Sequence, residues 1–324
     1  MSLTLASCSK NDVYDLIKKR IINFSMSTNA TRTAYGATPG QKENPEAWKI
    51  YWQSDDKVRV YSAECPELHQ ADYLVNPDGT NAQNGKMSPV DDDAQLYWTD
   101  DKTLQHTFTA AYPASTDVEY AGVGQFRFKV PTEQSNASDY MKYAYMIACK
   151  SGVTSTLDKD AVLLSFKPIM TTFEVTLQGT TANRTIESVD FTTKMPCDDE
   201  MKFIYSATTS SAPTPLKTET IVWTPTDDTK LIAGKGEGDP NTLTFNIFLP
   251  FTTISDENNL VITIHARDEH NVEKTFVATL NPDTKILGGE KKLLKLPKLE
   301  EKIYPVGISG IHEGFLTTVD FLDF

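Results

Sequence analysis

The sequence predicts an all-β protein made of two tandem antiparallel sandwiches. Three observations predict it. Short runs alternate apolar and polar residues, clusters of Asn, Asp, Gly and Pro separate these runs, and the 3.6-residue period of amphipathic helices is nearly absent.

The chain opens on Leu5-Ala6-Ser7-Cys8. An apolar residue and two small residues ahead of a cysteine match the place where a lipoprotein leader is cut and the new N-terminal cysteine is acylated. The small residues suit a peptidase pocket, and the Cys8 thiol takes the lipid. "MSLTLAS" is too short to hold a charged n-region and an apolar h-region, so the precursor is expected to begin further upstream. The plain alternative is a chance cysteine in an irregular start. "NDVYDLIKKR" then offers one of two short helical candidates, a strand-like segment runs from Ile21 to Met26, and a polar, turn-rich loop carries Arg32.

From there the alternation is regular. Val58 and Val60, then Phe108, Ala110 and Tyr112, then Phe126, Phe128 and Val130 each place one face of a strand on a core. Phe173, Val175 and Leu177 follow, then Leu243, Phe245, Ile247 and Leu249, then Leu260, Ile262 and Ile264. The intervening stretches "VNPDGTNAQNGK", "VPTEQSNASD" and "GKGEGDPN" are turn chemistry, at the spacing of antiparallel sandwiches and not of βαβ units. "SDYMKYAYM" is the second helical candidate and reads equally well as strand. An apolar strand reaches Phe166, breaks at Pro168 and resumes, which puts a domain boundary near residue 163 with no Gly/Ser linker. The expected organisation is a leader over 1–20, sandwiches over 21–163 and 164–300, and an extension over 301–324.

Composition excludes several classes. A formal charge of −13, from 31 basic and 44 acidic residues, argues against an electrostatic nucleic-acid binder. No apolar run is long enough to span a bilayer as a helix, so membrane attachment would rest on Cys8. Cys65, Cys149 and Cys197 lack CxxC spacing; one bridge among them and free thiols both remain open. The five histidines are scattered, and "HARDEH" lacks the helical i, i+4 pairing of zinc hydrolases. Asp91 to Asp93 lack the spacing and glycine of a calcium loop and read as a solvated turn. With no nucleophile elbow, phosphate loop or dinucleotide fingerprint, no enzyme, metal or cofactor is expected. Trp48, Trp52, Trp98 and Trp223 sit in or beside alternating runs and read as core, not as a sugar-stacking platform.

The far end is unlike a disordered tail. "EKIYPVGISGIHEGFLTTVDFLDF" is rich in apolar and aromatic residues. Phe315, Val319 and Phe321 share one face of an extended segment, so the tail needs a groove, either in its own second sandwich or in a neighbour.

Taken in order, "LASC", the early strand with "TRTAY", "DKVRVY" behind Trp48, "YW" and "HTFTAAYP", "DYMKYAYM", "VLLSFKPIMTTFEVTL" and "GGEKKLLKLPKL" resemble the fimbrillin-like family of Bacteroidales surface lipoproteins and fimbrial subunits. Lys167 and Pro168 depart from the family habit of a His followed by an apolar-small pair. The resemblance implies two transthyretin-like sandwiches, lipidation, outer-membrane export, and cleavage after an arginine in the loop that follows the first strand. It also implies a groove left by that strand and filled by another subunit's C-terminal extension. Arg32 is the first choice for the cut and Arg20 the second; only a cut at Arg32 removes lipid and strand together. Phe315, Val319 and Phe321 become donor-strand pegs. The expected role is a stalk or anchor subunit of a cell-surface fimbria, partnered by other fimbrial subunits and with room for a surface receptor. The alternative is a monomeric surface lipoprotein that binds a host or dietary glycan or protein. Under the plain alternatives, the first strand stays in its sheet and Arg32 is an ordinary loop residue.

Overall fold

The computed structural model describes residues 20–28, 34–35, 50–80, 82–135, 140–155, 161–178, 184–208, 216–225, 231–232, 242–250, 252–253, 259–268, 270–279, 285–286, 291–296 and 313–315. In the N-terminal half the strands are β1 (Phe24–Thr28), β2 (Ala34–Tyr35), β3 (Ile50–Tyr51), β4 (Lys57–Tyr61), β5 (Gln70–Pro77), β6 (Asn84–Pro89), β7 (His106–Tyr112), β8 (Val118–Gly122), β9 (Gln125–Lys129), β10 (Glu133–Ser135), β11 (Met146–Val153) and β12 (Val162–Pro168). The C-terminal half adds β13 (Met170–Gln178), β14 (Arg184–Met195), β15 (Lys202–Ser206), β16 (Lys217–Thr224), β17 (Leu231–Ile232), β18 (Thr242–Pro250), β19 (Thr252–Thr253), β20 (Val261–Asp268), β21 (Glu273–Thr279), β22 (Lys285–Ile286), β23 (Lys291–Lys295) and β24 (Glu313–Phe315). The protein is all-β.

Seven strands, in the order β1, β12, β11, β7, β4, β5, β6, close on themselves because β6 pairs back onto β1. The alternating runs explain the closure: Val58, Val60, Phe108, Ala110 and Tyr112 all point into one buried core with Phe24, Trp52, Tyr73 and Phe166. Trp52 meets Tyr112 and Phe166 edge-on at ring-centroid distances of 5.7 and 5.4 Å, the geometry that the aromatic quadrupole favours. Strand β12 runs on to Pro168 within this sheet, past the boundary expected near 163, and β13 opens the next sheet at Met170.

In the second half the sheet β10, β16, β14, β20, β21, β24 shares one buried cluster with the sheet β18, β13, β23. The inward faces expected from the sequence are buried on β13, β18 and β20, and Trp223 of β16 stacks on Phe245 of β18 at 3.7 Å. Strands from the two halves also pair directly: β15 joins the β8–β9 hairpin, and β10 lies parallel to β16. One buried cluster therefore runs from Phe126, Phe128 and Tyr145 through Phe203 into Trp223 and Phe245. "DYMKYAYM" splits between a 3-10 turn at Tyr140–Tyr143 and the start of β11. Cys65, Cys149 and Cys197 are free thiols, and Trp52, Trp98 and Trp223 are buried core residues; Trp48 lies outside the described residues.

Candidate assembly site

The first strand occupies a seam. β1 runs antiparallel to β6, with Phe24 opposite Met87 and Met26 opposite Gly85, and parallel to β12, with Phe24 opposite Val162 and Thr28 opposite Phe166. Its side chains alternate as the pleat demands: Phe24, Met26 and Thr28 are buried, while Ser25 and Ser27 face outward. Ile22, ahead of the strand, is buried as well. The ring of Phe24 stands edge-on to Tyr73 at 5.1 Å and to Phe108 at 5.3 Å. Gly85 suits the close approach of the neighbouring backbone, since a Cβ there would sit 2.7 Å from the Asn76 carbonyl oxygen.

Topology gives this strand its meaning. Among the described residues, with β1 absent, β6 keeps only β5 and β12 keeps only β11 as paired neighbours. Two strand edges would then face each other across a slot floored by Tyr73, Phe108 and the rest of the barrel core. The occupant is also imperfect. Thr28 is 4% exposed, and its hydroxyl has no hydrogen-bond partner among the described residues. An unmet buried hydroxyl costs about 1–3 kcal/mol.

The segment leading into the strand is tied down. Trp98 donates its amide to the Arg20 carbonyl at 2.9 Å, Ile22 donates to Leu96 O at 3.1 Å, and Ile21 bridges Tyr97. The Arg20 guanidinium donates to Ser155 Oγ at 3.0 Å and to the Thr99 carbonyl. Arg20 is therefore half-buried and held at both backbone and side chain.

A family model described as fimbrillin-like matches residues 29–306. The chain belongs to the fimbrillin-like family. Comparison with curated proteins gives no match. Among solved structures, the fimbrillin-like chain resembles a proposed cell adhesion protein from Bacteroides ovatus ATCC 8483 at 14% identity and a TM-score of 0.52, over 86% of this chain and 92% of that one. It also resembles a proposed cell adhesion protein from Bacteroides uniformis ATCC 8492 at 13% identity and a TM-score of 0.50, over 85% and 91%. At such identities the likeness is one of fold.

The sequence-derived residues fall unevenly on this fimbrillin-like fold. The strand expected over Ile21–Met26 is present, shifted to Phe24–Thr28. Arg20 lies just before it, as described. Cys8, Arg32, Val319 and Phe321 lie outside the described residues. Phe315 falls on β24, which runs parallel to β21 of the same chain with Phe315 opposite Val277. Sequence reasoning missed Thr28, because the burial of a threonine depends on register. It also missed β12 as the parallel partner, since no periodicity encodes a pairing between residues so distant in sequence.

Proposed function

We propose that this chain is a structural subunit, a stalk or anchor component, of a cell-surface fimbria assembled by strand exchange between two-sandwich, transthyretin-like subunits. The observation that carries the reading is the placement of β1 between β6 and β12, where its loss leaves a slot with two unpaired edges and an apolar floor. In this scheme Cys8 anchors the precursor to the outer membrane through lipid. A protease then cuts after Arg32, beyond the end of β1, so that lipid and strand leave together. A cut after Arg20 would leave β1 seated, and Arg20 is held by Ser155, Thr99 and Trp98. The vacated slot takes the C-terminal extension of the next subunit, with Phe315, Val319 and Phe321 as inward pegs. In the subunit by itself the described part of that extension, Glu313–Phe315, pairs with β21.

The magnitudes are compatible. Burying three such pegs contributes about 1.5–3 kcal/mol each. Several backbone hydrogen bonds add about 0.5–1.5 kcal/mol net each. The opposing cost of association is about 4–15 kcal/mol. Affinity then comes from main-chain pairing and register from alternate side chains, as in β-strand addition generally.

Treatment of the lipidated precursor with an arginine-specific protease is expected to release an N-terminal fragment and to give SDS-resistant ladders. Arg32→Ala is expected to abolish both while far-UV circular dichroism stays unchanged. Normal ladders from that variant would overturn the processing scheme.

A further inference from the structure

A cleft of about 330 Å³ opens where the N-terminal strands cross to the second half, away from the β1 slot. Its apolar lining comes from Pro113, Val130, Pro131 and the ring of Tyr145, which is 3% exposed. Four charged side chains, Asp117, Glu133, Lys129 and Lys142, also line it. Two carboxylates and two ammonium groups leave no net charge. The Lys142 ammonium sits 5.1 Å from the centroid of the Tyr143 ring.

The walls are preformed. Asp72 grips Arg59 through both oxygens, at 2.8 and 3.0 Å, and the same guanidinium donates to the carbonyls of Ser115 and Val118 at 2.8 and 2.9 Å. The turn that carries Asp117 is thereby braced from below. On the opposite side Val222 donates to Thr132 O at 2.7 Å, and Gln134 donates to Pro131 O at 3.2 Å. Tyr145 donates its hydroxyl to Lys129 O at 2.7 Å and keeps its oxygen as an acceptor. The backbone of both walls is thus held before a ligand enters, which lowers the cost of binding.

The combination of a small apolar floor, a rim of both donors and acceptors, and no net charge suits a neutral, hydroxyl-rich ligand. A neutral sugar offers a C–H face to the floor, and each of its hydroxyls both donates and accepts. An anion would gain nothing net, since the two ammonium groups that attract it stand beside two carboxylates that repel it, and a purely apolar ligand would strip water from four charges without return. We infer that this cleft is a binding site for a neutral saccharide, one or two rings in size. It goes beyond the assembly role and does not depend on it, because the β1 slot contributes nothing to the cleft.

The test is saturation-transfer NMR followed by titration on the full chain, with lactose, N-acetyllactosamine, mannotriose and xylotriose as probes and 3′-sialyllactose as the charged comparator. At least one neutral probe is expected to bind with a dissociation constant below about 10 mM, and sialylation is expected to give no gain. Asp117→Asn and Glu133→Gln, both at exposed positions, are each expected to weaken binding at least about fivefold. Asp92→Asn, at an exposed position outside the lining, is expected to leave binding unchanged. The inference falls if no neutral probe binds, if the sialylated probe is preferred, or if both cleft variants bind as the parent does.

Discussion

Phe24 sets its ring edge-on to Phe108, with centroids 5.3 Å apart, and so places the leading strand of the chain into the middle of the barrel core. Truncating it should matter only while the strand is in place. Phe24→Ala is expected to lower the stability of the uncut protein by about 3–5 kcal/mol, the usual cost of a large aromatic cavity, as read by urea denaturation. Under the proposed processing, the same substitution should leave the urea resistance of protease-assembled ladders unchanged, since the segment that carries it would be gone. Ladders weakened by the substitution would mean that β1 remains part of the polymer.

Thr28 carries a hydroxyl that is buried without a described partner. Replacing it with Val keeps the β-branch and removes the polar atom, so Thr28→Val is expected to stabilise the uncut precursor by about 1 kcal/mol. A better-seated strand should also slow ladder formation after cleavage. Destabilisation by this variant would show that the hydroxyl is satisfied.

His106 is 1% exposed, stacked on Phe108 and edge-on to Trp98, and burial holds its pKa below the ordinary 6.5, with Glu64 pulling the other way. A depressed histidine pKa means that the unfolded chain takes up a proton before the folded one does. Its contribution to stability is therefore complete above pH 6.5 and is lost as the pH falls below that value toward the folded pKa. Urea midpoints measured from pH 7.5 to 5 should decline, and His106→Phe should flatten the decline in the upper part of that range. Equal slopes for parent and variant would remove His106 from the account.

Much of the architecture was legible because burial follows a period of two. Val58 and Val60, Phe126 and Phe128, and Ile262 and Ile264 are inward where alternation put them. What the sequence did not show is pairing that no hairpin enforces. Among the described residues β1–β12, β10–β16, β13–β23 and β21–β24 are parallel. Such pairs join segments far apart in sequence, and their register depends on the packing of the whole fold. Glu133–Ser135 illustrates the difficulty: it reads as polar turn, yet it forms a strand because β16 offers an edge and the Gln134 side chain finds a backbone partner. The candidate slot was half legible. The strand could be found from its alternation, but its neighbours could not.

Cys65 and Cys197 are buried, and burial raises both thiols to about 11. Thiolate, the reactive form, is then scarce at pH 8. Iodoacetamide is expected to modify Cys149 in the native protein well before Cys65 or Cys197, and to modify all three in urea, as read by peptide mass spectrometry. Rapid native labelling of Cys65 or Cys197 would contradict their burial.

Gln134 joins the two halves as a short strand would. Its side-chain amide donates to the Phe248 carbonyl at 2.8 Å and accepts from the Phe248 amide at 2.9 Å, inside a region where Gln134 is 3% exposed. Gln134→Leu keeps the bulk but removes both hydrogen bonds to the Phe248 backbone, each contributing about 0.5–1.5 kcal/mol net. The expected loss is about 1–3 kcal/mol, and it should fall on the coupling between halves more than on either core. Trp52 and Trp98 report the barrel and Trp223 the second half. In the parent, their fluorescence transitions in urea should coincide, while in Gln134→Leu the Trp223 signal should separate from the others. A shared transition displaced by less than about 0.5 kcal/mol would mean that the β9–β15 pairing and the continuous core hold the halves together without this clip.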